Sequence, residues 1–96
     1  MLRGKQRAHL RSLANDFEPL FQIGKDGIGE NFLIAVDKAL NARELIKLSI
    51  LETCPVESKQ AAILTAAACK AEVVQVIGNR FVLYRKSKDN KIKLIK

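Results

Sequence analysis

The chain has 96 residues, 48% of them hydrophobic and only seven of them glycine or proline, which suits one small folded domain and argues against long disordered segments. No apolar run approaches the roughly 20 residues of a membrane span, and no apolar stretch follows the basic N-terminus as in a signal peptide, so a cytoplasmic protein is expected. The net charge of +7 is segregated: residues 1–12 and 79–96 together hold 11 basic residues and one acidic, whereas residues 13–78 hold six basic and nine acidic, a pattern that points to a polyanionic partner.

In chain order, Leu2, Leu10, Leu13 and Phe17 fall on one face at helical spacing and predict a helix over residues 3–15. Arg3, Arg7 and Arg11, spaced i, i+4, i+8, form a positive ridge beside that face, with Lys5 nearby. Pro19 ends any helix before it, and Leu20–Ile23 reads as a short strand. Gly24-Lys25-Asp26-Gly27 is a tight loop. Phe32, Leu33, Val36, Ala39 and Leu40 predict a second helix over residues 30–42.

Leu45–Leu51 alternates, with Ile46, Leu48 and Ile50 on one side and Lys47 and Ser49 on the other, which predicts a strand. Pro55 suits the first turn of a third helix, in which Val56, Ile63, Leu64, Ala67 and Ala71 share a face. Val73–Ile77, rich in β-branched residues, and Phe81–Arg85 are two further strands joined by the hairpin signal Gly78-Asn79. A basic extended tail begins at about Lys86, with Ile92, Leu94 and Ile95 available to pack back on the body. The expected fold is a single α/β domain over residues 1–96, of order α-β-α-β-α-β-β. Its mixed four-stranded sheet has parallel neighbours across each strand–helix–strand connection, an antiparallel last pair, and two helices on one face.

Three clusters are candidates for binding. In the Gly24–Gly27 loop, two glycines allow a phosphate to approach the backbone, Lys25 adds charge, and amides of the following helix can donate. The loop lacks the Gly-Lys-Ser/Thr ending of a nucleotide-binding P-loop. The ridge Arg3, Arg7, Arg11 with Lys5 can contact backbone phosphates with little sequence preference. The third cluster is Arg80, Arg85, Lys86 and Lys88 at the hairpin and tail, a basic arm that can order on RNA. Phe81 and Tyr84 alternate onto opposite faces of a strand, so at least one belongs to the core and stacking is not the expected main mode. The two cysteines, Cys54 and Cys69, have no second pair and only the distant His9, so they read as small packing residues rather than zinc ligands or a disulfide. No catalytic set assembles around His9, and neither an enzyme, a metal nor a cofactor is expected.

The chain resembles the YhbY proteins, stand-alone CRM (chloroplast RNA splicing and ribosome maturation) domains, from Leu2 to about Arg85. The resemblance rests on Leu10-Arg11-Ser12-Leu13-Ala14, Ile23-Gly24-Lys25-Asp26-Gly27-Ile28, Glu44-Leu45-Ile46-Lys47 and Glu72-Val73-Val74-Gln75-Val76-Ile77-Gly78 running into Val82-Leu83-Tyr84-Arg85, in that order and spacing. It implies a fold like the C-terminal domain of bacterial translation initiation factor three. It also implies RNA binding, association with rRNA in precursors of the large ribosomal subunit, and a KH-like glycine-x-x-glycine loop at Gly24–Gly27 that approaches RNA. A monomer without a membrane or small-molecule partner is expected. Two residues depart from the family pattern: Asp26 puts a carboxylate in the loop, and Lys70 stands where a glycine usually closes the third helix. An architectural binder of duplex DNA or RNA, as in Alba-like proteins, and an adaptor for an acidic protein are the alternatives.

Overall fold

A computed structural model describes residues 3–87; Leu2 and the tail residues Ile92, Leu94 and Ile95 lie outside them. Every expected element within that range forms: α1 (Gly4–Ala14), β1 (Phe21–Ile23), α2 (Glu30–Arg43), β2 (Leu45–Ile50), α3 (Ser58–Cys69), β3 (Glu72–Ile77) and β4 (Arg80–Tyr84). The third helix starts at Ser58 rather than at Pro55, which belongs to the preceding segment and packs toward Gly27.

The sheet order is β1-β2-β4-β3. β1 and β2 are parallel neighbours, as expected. β2 and β3 are not neighbours: β4 lies between them, antiparallel to both. The two-residue turn at Gly78-Asn79, with Gly78 at φ 56°, folds β4 back along β3 and into the slot beside β2.

Both faces of the sheet are packed. On one face Val36 and Leu40 of α2 and Ala61, Ala62, Ala66 and Cys69 of α3 meet Ile23, Ile46, Leu48, Phe81 and Leu83. On the other face, Leu10 and Ala14 of α1 meet Leu45, Val74, Val82 and Tyr84. Two helix faces therefore differ from the sequence expectation. In α3 the buried side is Ala61, Ala62, Thr65, Ala66 and Cys69, while Ile63 and Leu64 are 53% and 44% exposed. Small residues let α3 lie close to the sheet, a space that larger side chains would fill. In α1, Ala14 replaces Leu13 and Phe17 as the partner of Leu10, and those two stay exposed. Ser49, expected at the surface, is buried.

Lys70 closes α3 in the left-handed conformation (φ 56°, ψ 41°), and Ala71 N–H reaches back to Ala66 O at 2.8 Å. A side chain there is strained by about 1 kcal/mol, partly offset because glycine loses more backbone freedom on folding. Lys70→Gly is expected to raise the unfolding free energy by about 0.5 kcal/mol, seen as a higher urea midpoint at unchanged slope.

Candidate nucleic-acid interface

β1, β2 and β3 run in the same direction, so their C-terminal ends and the β3–β4 hairpin share one end of the sheet. The Gly24–Gly27 turn sits there, closed by Gly27 N–H donating to Gly24 O at 3.0 Å. The hairpin is stitched to its neighbours: Ile50 N–H donates to Asn79 O (2.7 Å), Asn79 Nδ2 to Ile50 O (3.2 Å) and the Ser58 hydroxyl to Gly78 O (2.6 Å). Glycine is favoured by the fold at Gly27, since its φ is 66° and a Cβ would lie a tight 3.1 Å from Pro55 Cγ. Gly24 is not required: its φ is ordinary and a Cβ would come no nearer than 3.7 Å to Leu51. Lys25 and Asp26 are exposed. The carboxylates of Asp26, Glu30, Glu52 and Glu57 share this end with Lys25, Lys59 and Arg80, so charge here is balanced rather than concentrated.

At the other end, two of the candidate arginines serve the fold. Arg85 Nη1 donates to Asp37 Oδ1 (2.6 Å) and Cys69 O (2.8 Å), and its Nη2 to Asp37 O (3.0 Å) and Asn41 Oδ1 (2.8 Å), with the side chain only 18% exposed. It ties the end of β4 to α2 and α3. Arg7 Nη1 donates to Val73 O at 2.5 Å and its Nη2 lies 3.8 Å from Glu72, which docks α1 on the start of β3. Glu44, fully buried at φ 66°, takes hydrogen bonds on its carboxylate from the Ser87 N–H (2.9 Å) and hydroxyl, while its carbonyl accepts from Arg85 N–H (2.9 Å). Lys86 is thus held at the surface between two anchored residues.

The stripe Arg7, Arg11, Asn15 joins the two ends. Arg7 touches the start of β3, and Asn15, two turns on, borders a groove of about 140 Å³ with Gln75, Ile77 and Arg80 from the other end of β3 and the hairpin, and Lys47 from β2. α1 therefore runs along β3, and Arg11 lies between the two contacts. The exposed cations Arg3 and Lys5 crowd the N-terminal end of α1, which carries no acid in its first turn. Cations there oppose the helix dipole, by about 0.3–1 kcal/mol each, so they are not placed for helix stability. The side chains of Arg11, Lys47 and Arg80 make no ion pair or hydrogen bond among the described residues, unlike those of Arg7 and Arg85. A larger, mainly apolar hollow of about 300 Å³ lies on the other flank of Lys47, between Phe17–Leu20 and Arg43, with Glu18 on its wall.

Phe81 and Tyr84 are both core residues on opposite faces, so neither offers a ring to a base. Burial, and then the Glu44 carboxylate, push the Tyr84 phenol above its ordinary value. Burial, and then Asp37, likewise push the Cys69 thiol up, against a smaller opposite effect of Arg85. Among the described residues no cluster of three His, Cys, Asp or Glu could hold a metal, and no helix is long and apolar enough to cross a membrane. The sequence reading did not single out Asn15, Lys47 or Gln75. Strand alternation put Lys47 opposite Ile46 and Leu48, but nothing in the pattern placed α1 on that side.

The model of the CRS1/YhbY (CRM) domain matches residues 2–85. The chain belongs to the CRM domain family. Within it, the chain is 44% identical to the Bacillus subtilis protein named Probable RNA-binding protein YqeI over 95% of both chains. It is 38% identical to a Haemophilus influenzae protein named RNA-binding protein, covering 97% of this chain and 94% of that one. The solution structure of a hypothetical Staphylococcus aureus protein, assigned RNA binding provisionally, superposes with a TM-score of 0.84 at 48% identity over 99% of this chain and all of that one. The α-β-α-β-α-β-β order expected from the family resemblance is the observed one.

Proposed function

We propose that this CRM protein binds RNA, gripping the sugar–phosphate backbone along the α1 ridge, and that its target is rRNA in precursors of the large ribosomal subunit, on which it acts as a maturation factor. The observation that carries the reading is the track of cations from Arg3 and Lys5 through Arg11 to Lys47 and Arg80, along α1 and β3, none of which forms an ion pair among the described residues. The names of the relatives support RNA as the polyanion. Arg7 and Arg85 drop out of the binding set because their guanidiniums are already used. The Gly24–Gly27 loop is a second contact at the far end of the track, where Gly24 leaves room for close approach and Asp26 lowers the pull on phosphate.

The test is filter binding of the full chain to a large-subunit rRNA fragment, tRNA and random duplex DNA across a salt series, with sedimentation of cell extract in parallel. Each phosphate neutralised contributes about −0.7 to −0.9 to the slope of log affinity against log salt, so a slope of roughly −4 is expected for rRNA if all five cations engage. The protein should travel with large-subunit precursors and leave them as salt rises. Equal affinity for duplex DNA would replace the reading with an architectural binder. Co-purification with an acidic protein that survives nuclease would replace it with an adaptor.

A further inference from the structure

The groove at the end of the α1 ridge has a chemistry distinct from the ridge itself. Strand register sets it out. Lys47 on β2 and Gln75 on β3 both pair with Val82 on β4, so the three form one row across the sheet on the α1 side. Val82 is buried and makes the floor, while Lys47 and Gln75 stand on either side, about 10 Å apart at the backbone. In the next row Ser49 and Ile77 flank Arg80. α1 ends at Ala14, which packs with Leu10 over Val74 and Val82, and Asn15, just beyond the helix, closes the groove. A register shift between Val73 and Gln75 turns Gln75 to the same face as Val74.

The groove residues thus provide two amides, two cations and one exposed apolar side chain, with no carboxylate among them. None of the side chains of Asn15, Lys47, Gln75 and Arg80 has a hydrogen-bond or ion-pair partner among the described residues. Amides pair with the donor and acceptor edges of a base, cations with the phosphates on either side of it, and Ile77 with a base face or ribose. The volume, about 140 Å³, suits one planar ring system and not a helix or a strand pair. In an A-form duplex the major-groove edges are out of reach and every base is held in the stack, so a whole ring can enter the groove only from a single-stranded position.

Resting on the RNA-binding reading, we propose that this groove takes one unstacked nucleotide from a loop or bulge, read by Asn15 and Gln75, while the α1 ridge holds the adjoining backbone. The protein would then prefer RNA with unpaired bases beside a helix over a plain duplex.

The test compares wild type with Asn15→Ala/Gln75→Ala, changes that leave the net charge alone, on two labelled probes: an RNA hairpin with a single-stranded loop, and the blunt duplex of the same stem. The double variant should bind the looped hairpin about tenfold more weakly and the duplex within about twofold, with an unchanged salt slope for both. A photoreactive thiouridine in the loop should crosslink wild type within the segment from Gln75 to Val82, which keeps the proposal testable if the variant folds poorly. Equal losses on both probes, no loss on either, or crosslinks confined to Gly24–Gly27 would overturn the groove proposal while leaving RNA binding standing. Failure of wild type to bind either probe would overturn both.

Discussion

Arg85→Ala is expected to lower the unfolding free energy by about 2–4 kcal/mol and, in the folded fraction, to leave RNA affinity within about twofold. The guanidinium makes four hydrogen bonds, two of them to backbone carbonyls at Asp37 and Cys69. It is mostly buried, whereas its ion-pair partner Asp37 is 52% exposed. The cost therefore comes less from the pair, which water screens on one side, than from the carbonyls and Asn41 left without a donor. Urea unfolding gives the first number, and filter binding well below the transition gives the second. A tenfold loss of RNA affinity with stability intact would return Arg85 to the binding surface.

Arg3→Glu/Arg11→Glu is expected to do the reverse: RNA binding weakens about a hundredfold, near 2.7 kcal/mol, while stability moves by less than about 1 kcal/mol. Each reversal removes a phosphate contact and adds a repulsion, and the salt slope should become shallower by roughly two. The small stability change reflects two opposed effects of the helix dipole. A carboxylate at Arg3, the N-cap of α1, is favourable, whereas one at Arg11 in the last turn is not. Lys38→Glu/Lys59→Glu makes the same change in net charge on exposed sites of α2 and α3, across the sheet from the ridge, and should weaken binding far less. Equal losses in the two double variants would mean that affinity follows net charge alone.

Much of this was legible in the amino-acid order. Periodicity located the elements within the described range, the Gly78-Asn79 turn marked the hairpin, and the strained close of α3 at Lys70 followed from the family pattern. Pairing and orientation were less legible. The slot taken by β4 is a choice between two edges that local sequence does not encode. The buried side of α3 was misread because hydrophobicity favours Ile63 and Leu64, whereas close packing favours the alanines. The candidate site divided for a similar reason. Helical spacing marks Arg7 and Arg11 and the basic tail cluster marks Arg85, but only the fold supplies Glu72 and Val73 to Arg7, and Asp37 and Asn41 to Arg85. Lys47, Gln75 and Asn15, from three separate elements, meet only once α1 lies across β2 and β3.

The hydrogen bond from Arg7 to Val73 also bears on self-association. Among the described residues β1 and β3 are the edges of the sheet, where open backbone invites a strand from another molecule and growth toward fibrils. β1 is only three residues long, too short to template much. β3 is longer and rich in valine, but its ladder is interrupted at Val73/Gln75, and a guanidinium sits on one carbonyl at the interruption. The arginine that docks α1 thus also helps to blunt the edge most prone to aggregation.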